Sequence, residues 1–358
     1  MGSMKPWPSL LPVGVFLMMC LVAAGGQVPH AAQDLPYTTE EVSYSNPDAP
    51  GVELAGVFTK PRNNSAVPAV LLISGAGPQD RDETTGDQKP FAVLADYLAQ
   101  HNIAVLRVDD RGVGQSKGTF ESAVTNDFAS DAQAGVRYLM TRPDVDQKHI
   151  GLIGHGEGAI VATIVASKTP QIAFVVLLSG TAVSGDKVLL AQTARAQRVA
   201  GLPDEQIEAD LRLGAGLYRM AAAGRSQADM RAALDNLPEE YKPFADPWRR
   251  QLPKLQSPWL RSFLAYDPSS ALEQLKCPVL ALWGEKDTTL DPEQNSSAMK
   301  KAFSKAHNRE AKIKILPGLN YLFQKANTGL ASEYQTLHER MSPIALENIQ
   351  TWIAKQVE

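Results

Sequence analysis

The chain has 358 residues, is 44% hydrophobic and 21% charged, and carries a formal net charge of −4. This is a globular composition, long enough for one large domain or two small ones. Positive charge is scattered, so the phosphate neutralisation that nucleic-acid binding requires has no basis. Neither cysteine has neighbours at zinc spacing, so no metal site is expected.

Residues 1–27 stand apart. Lys5 precedes an apolar run from Leu10 to Ala24, and the small residues Ala23, Ala24, Gly25 and Gly26 close it. The run is short for a membrane span and reads as a secretory signal peptide. The alternative is an uncleaved anchor. The expectation is an exported protein, periplasmic or secreted, with no stable membrane span after processing. Lipid attachment at Cys20 has weak support, because Leu17-Met18-Met19 is bulkier than such sites favour. Cleavage leaves Cys277 alone, so no internal disulfide forms, which suits a bacterial periplasm. Cys277 itself reads as a small buried hydrophobe before a strand.

From Tyr37 to Thr59 two alternating runs flank Asn46-Pro47-Asp48, which is hairpin grammar. Short apolar runs then recur at Ala69 to Ile73, Ile103 to Val108, His149 to Ile153, Phe174 to Leu178, Val279 to Trp283 and Ile313 to Leu316. Such runs suit parallel strands buried on both faces. Helical stripes fill the gaps: Phe91, Leu94, Ala95 and Leu98; Phe128, Ala132, Val136 and Leu139; Ala159, Ala162, Thr163 and Ala166; Leu346, Ile349, Trp352 and Ile353. Strand and helix in alternation predict a doubly wound α/β sheet. The rhythm breaks between Leu178 and Val279, where a stripe of Ile207, Leu211, Ala215 and Tyr218 and a Pro- and Trp-rich stretch from Pro243 to Trp259 replace strands. A structureless loop of that length is improbable, so an inserted helical cap is expected.

The sharpest local pattern is Gly154-His155-Gly156-Glu157-Gly158 between a strand and a helix. This is the setting of a nucleophile elbow, G-x-S-x-G. The outer glycines avoid collisions in a tight turn. The central residue carries Ser, Cys or Asp where a covalent intermediate forms, and here it is Gly156. Gly154, Gly156 and Ala159 also fit a loose dinucleotide fingerprint, but that signature belongs to the first strand of its unit.

The chain resembles exported α/β-hydrolases of the serine aminopeptidase-like group, which includes esterases and peptidases. Five stretches in order carry the likeness: Ser74 to Asp82, Asp109 to Ser116, Gly154 to Gly158, Leu282 to Asp287, and Pro317 to Phe323. The resemblance runs from about Tyr37 to the C-terminus. It implies an α/β-hydrolase fold, a mostly parallel doubly wound sheet with an inserted helical cap, and the division 37–182 core, 183–275 cap and 276–358 core. It also implies a Ser, Asp, His triad in that order. Asp287 matches the acid, Gly156 stands in the serine position and Tyr321 in the histidine position. The oxyanion hole would use the backbone N–H groups of Ala76 and Glu157. No cofactor is implied.

The remaining candidates have plainer readings. His155 is structural, and Glu157 packs or hydrogen-bonds under the cap. Ser116 and Ser179 shape turns, and His338 is exposed. Asp109, Asp110 and Arg111 form an ion-pair network. Asp287 is a relic hydrogen-bonded to Tyr321 or, alternatively, a general base with its pKa raised by burial. Loss of the nucleophile or histidine costs a serine hydrolase about a millionfold in turnover. The sequence therefore favours a non-hydrolytic protein that binds a small ester-, amide- or peptide-like ligand. The alternatives are a non-covalent lyase, isomerase or cyclase that uses the oxyanion hole, and a weak hydrolase with a water nucleophile in the space beside Gly156.

Overall fold

The computed structural model describes residues 35–63 and 65–358. The expected signal segment and Cys20 lie outside the described residues. The alternating first runs form the hairpin β1 (Tyr37–Ser45) and β2 (Glu53–Pro61), paired antiparallel. Five further strands follow the apolar runs closely: β3 (Val67–Ile73), β4 (Ala104–Val108), β6 (Phe174–Leu178), β7 (Val279–Gly284) and β8 (Ala311–Leu316). The remaining strand, β5 (Val145–His155), begins earlier than its apolar run, through the polar stretch Asp146 to Lys148. The eight strands lie in one sheet in the order β1-β2-β4-β3-β5-β6-β7-β8. Pairings from β4 onward are parallel, and β2 joins β4 antiparallel.

Both faces of the central strands are covered, which is why those strands are apolar throughout. On one face, α1 (Pro90–Gln100) presents Phe91, Leu94 and Leu98 to Val70, Leu72, Val105 and Ile153. On the other face, α2 (Thr125–Thr141) and α3 (Glu157–Lys168) bury Val136, Leu139, Ala162 and Val165 against Leu71, Ile150 and Leu152.

Between β6 and β7 the described residues contain helices and no strand: α4 (Gly185–Val199), α5 (Asp204–Ala222), α6 (Gln227–Asp235), α7 (Lys242–Gln251), α8 (Pro258–Ala265) and α9 (Ser269–Leu272). Of the expected stripe on α5, Ile207 and Tyr218 are buried, with Asp210, Gly214, Leu217 and Ala221, whereas Leu211 and Ala215 are only half-buried. The cause is Trp248. Its indole packs where a Cβ on Gly214 would sit, and its Nε1 donates to Asp210 at 2.8 Å. After β7 come α10 (Pro292–Ala306) and, beyond β8, α11 (Pro343–Ala354), whose Leu346, Ile349 and Ile353 complete the face begun by α1. Cys277, expected to be buried, is half-buried beside that core. No helix among the described residues is long and apolar enough to cross a membrane.

Candidate active site

β5 ends at His155 and α3 begins at Glu157, so the turn between them is Gly156 alone. The turn is tight. A Cβ on Gly154 would collide with the backbone of Gly158, and one on Gly158 with the carbonyl of Ile73. Gly156 has φ 55° and ψ −115°, a conformation that strains any residue with a Cβ. The elbow geometry is therefore present, with the one residue type that adopts it freely.

The space above Gly156 is occupied. A Cβ built there would overlap the hydroxyl oxygen of Tyr321, which also lies against Gly75. Tyr321 is held by a closed loop after β8. Buried Asn320 accepts from Gln324 N through its side chain at 2.9 Å and from Phe323 N through its carbonyl at 3.0 Å. The Tyr321 ring lies over the ring of His155, with centroids 4.2 Å apart. Burial holds its phenol well above the ordinary range, reinforced by the negative charges of Glu83 and Asp287. The hydroxyl is thus a donor at neutral pH.

His155 supports this arrangement from below. Nδ1 meets both oxygens of Glu83 at 2.8 and 2.9 Å, and Nε2 meets the Tyr321 carbonyl at 3.0 Å. Burial alone would lower the pKa of His155, but the charge and hydrogen bond of Glu83 raise it. The imidazolium so favoured donates from both nitrogens. Glu83 itself has φ 53° and also accepts from Gly75 N at 2.7 Å.

Asp287 occupies the turn after β7 and is fully buried. Its Oδ1 accepts from Thr289 N and Leu290 N, both at 2.8 Å, and its Oδ2 has no partner. It makes no hydrogen bond to Tyr321, so the relic pair expected from the sequence does not form; the tyrosine hydroxyl points to Gly156 instead. Burial pushes Asp287 up to about 6, against the N–H groups of Leu290 and Thr289 and the neighbouring Ser179 hydroxyl. Of the two backbone groups expected to form an oxyanion hole, neither Ala76 N–H nor Glu157 N–H donates a hydrogen bond among the described residues.

Glu157 carries a second task. Its Oε1 accepts from Thr125 Oγ1 at 2.6 Å, and both its oxygens take Nε1 of Trp259, on α8, at 2.9 Å. Burial raises its pKa. Asp109, Asp110 and Arg111 do not form one network. Asp109 pairs with Arg81 and Arg111 with Asp131, whereas Asp110 meets only Ser74 Oγ and Gln79 N. Lacking a cation, Asp110 is pushed by burial up to about 8. It faces a cavity of about 50 Å³ shared with Ser74, Phe128, Glu157 and Val161, which does not include Gly156, Tyr321 or Asp287 among its lining residues.

Ser116 bonds the carbonyl of Asp109 and the N–H of Ala55, and His338 is exposed. No group of three or more His, Cys, Asp or Glu among the described residues is placed to hold a metal. Sequence reasoning missed Glu83 and Trp259. Only Glu83 had a signal, since a buried histidine beside the elbow requires a partner.

The family described as serine aminopeptidase, S33, matches residues 88–320. Esterase EstD of Thermotoga maritima is 26% identical over 302 residues, 83% of this chain and 64% of that protein. The chain thus spans less than two thirds of the length of this relative. Among solved structures, the Pyrococcus furiosus esterase Pf2001 superposes with a TM-score of 0.55 at 16% identity, covering 93% of this chain and 97% of that one. The α/β hydrolase GrgF from Penicillium sp. sh18 gives 0.54 at 16% identity, covering 89% and 99%. These two likenesses speak to the fold. With the family match covering most of the chain, the protein belongs to the serine aminopeptidase, S33, family of α/β-hydrolases.

Proposed function

We propose that this chain is a non-hydrolytic member of its esterase-like family, which binds an ester-, amide- or peptide-like ligand without forming an acyl-enzyme, outside the cytoplasm as residues 1–27 suggest. One observation supports the reading: at Gly156, where the motif resemblance puts the nucleophile, the Tyr321 hydroxyl fills the space a side chain would need. A phenol held above its usual pKa is a weak nucleophile and a good donor. With Ala76 N–H and Glu157 N–H it offers hydrogen bonds to a ligand carbonyl oxygen. The same occupancy argues against a water nucleophile beside Gly156, because that space is taken.

A second reading has its own support. Asp287 has a free oxygen and is raised to about 6, which suits a general base in a non-covalent lyase or isomerase. The two readings separate by turnover of carbonyl substrates.

The test of the main reading is chemical. A fluorophosphonate probe is expected to leave the protein unlabelled, and neutral esters or peptides are expected to raise its Tm. The double substitution Gly156→Ser with Tyr321→His is expected to gain both labelling and esterase activity. Labelling of the wild-type chain would end the proposal.

A further inference from the structure

The cavity of about 50 Å³ beside the candidate site has apolar walls, among them Leu54, Leu71, Phe128 and Val161. It has room for about four waters, or for roughly four non-hydrogen atoms of a ligand. Two carboxyl groups, Asp110 and Glu157, line the same cavity. Asp110 and its partner Ser74 are half-buried rather than sealed.

The ion pairs around the cavity leave these two carboxyls over. Asp109 is paired with Arg81, Arg111 with Asp131, and Glu83 with His155. Asp110 has Ser74 Oγ at 2.8 Å and Gln79 N at 2.9 Å, and Glu157 has Thr125 Oγ1 and Trp259 Nε1. Each of those partners is a neutral donor, so each carboxyl keeps an acceptor position and neither has a counter-charge. Burial pushes Asp110 up to about 8 and raises Glu157 in consequence. The Tyr44 phenol, which also lines the cavity, is raised by burial and stays neutral. A carboxyl in apolar surroundings without a counter-charge is completed by a cation from outside.

The cavity also adjoins the place where a ligand carbonyl would bind. Gly75, which precedes the Ala76 N–H, and Glu157, which supplies the other N–H, both line it. Resting on the ligand-binding reading above, we propose that this cavity is a subsite for a short aliphatic arm of that ligand ending in a primary ammonium group, its methylenes against Leu71, Phe128 and Val161 and its N–H groups toward Asp110 and Glu157. Two carboxyls supply too few oxygens for a calcium- or magnesium-type ion, and the apolar walls offer such an ion nothing.

The experiment compares n-propylammonium with its neutral counterpart 1-propanol and with potassium chloride, at constant ionic strength, by thermal shift and titration calorimetry. At pH 8.5 propylammonium is expected to raise Tm saturably, and the other two are not. Asp110 must give up its proton to meet the cation. Affinity is therefore expected to fall roughly tenfold or more from pH 8.5 to pH 6.5, and binding at pH 7 to release protons, read as a heat that changes with the ionisation enthalpy of the buffer. Asp110→Asn is expected to lose roughly tenfold or more in affinity, and Glu157→Gln several-fold. No saturable response, an equal response to 1-propanol or to potassium, or an affinity indifferent to pH and without proton release would each overturn the subsite. Proton release is read on the wild-type chain, which keeps the test decisive even if Asp110→Asn does not fold. Neutral esters or peptides that raise Tm while propylammonium fails would leave the ligand-binding reading standing and remove only the subsite. Saturable propylammonium binding together with fluorophosphonate labelling would do the reverse.

Discussion

At Gly156 a side chain meets two obstacles, and they can be measured apart. The backbone conformation strains any residue with a Cβ by about 1–3 kcal/mol. The Tyr321 hydroxyl stands where the Cβ would be. Gly156→Ser alone is therefore expected to destabilise the fold by more than the strain, by roughly 3 kcal/mol or beyond, in urea unfolding. Tyr321→Phe removes the hydroxyl, which has no hydrogen bond to lose. It is expected to cost under about 1 kcal/mol by itself and to recover part of the loss in the double variant. Strictly additive effects would mean that the two side chains do not compete for one space. Asp287 offers a second residue-scale test. Its ordinary value of 3.8 is raised to about 6 by burial, so the ionised form opposes folding. Such a group stabilises below its unfolded pKa, and that contribution is lost as pH rises through the folded one. At pH 8 the cost is about 3 kcal/mol, and Asp287→Asn is expected to be more stable than wild type there and not at pH 3.5. Asparagine would keep the bonds from Thr289 N and Leu290 N to its side-chain oxygen that hold the turn, so the variant isolates the cost of the charge.

At the scale of elements, the elbow helix and the inserted helices share one hydrophobic cluster and are tied by a polar contact. Trp259 Nε1 bonds both oxygens of Glu157, and its ring stacks on Phe263 with centroids 5.3 Å apart. Trp259→Phe keeps a ring and removes the donor, leaving buried Glu157 with Thr125 alone. The expected cost is about 1–3 kcal/mol, with amide exchange in α8 accelerated more than in α1. Equal acceleration in both helices would show that the bond supports the whole fold rather than this junction. The central strands were legible because burial on both faces makes them apolar along their length. The first half of β5 was not, since Asp146, Gln147 and Lys148 lie at the sheet margin, where side chains reach solvent. Half of the expected stripe of α5, Leu211 and Ala215, was misplaced because a glycine and an aspartate take up Trp248, a contact 38 residues away that periodicity cannot see. Gly156, Tyr321 and Asp287 were read from the sequence as positions in motifs, and the structure adds where each lies: the turn between β5 and α3, the loop after β8 and the turn after β7. The directions of the side chains were not legible, because the turn of Tyr321 toward Gly156 depends on the His155 ring and the closed loop at Asn320.

Across the whole molecule, the buried ionisable groups lean one way. Asp110 is raised to about 8 and Asp287 to about 6, and burial also raises Glu157 and Asp210. His155 is raised as well, through Glu83 against the opposing effect of burial. For each, the folded state binds protons more tightly than the unfolded chain, so stability is full at acidic pH and is lost as pH rises through the folded pKa. The opposing set includes Asp144, lowered by Arg142, Asp109, lowered by Arg81 against burial, and Glu333, lowered to about 2 by hydrogen bonds to the N–H groups of Asn327, Thr328 and Gly329 against burial, together with Asp146, lowered by His149, and Asp229, lowered by Ser226. Their contributions are complete above the ordinary carboxylate range and are lost only as pH falls below it. The two sets leave a stability maximum near pH 4–5 and a decline toward pH 8. Urea midpoints measured at pH 5, 6.5 and 8 are expected to fall in that order, and the triple variant Asp110→Asn, Glu157→Gln, Asp287→Asn is expected to flatten the slope. A wild-type profile that is level or rising from pH 5 to pH 8 would mean that water or a bound cation already meets these carboxylates in the native state, and that their burial is not the uncompensated kind on which the electrostatics of this site depends.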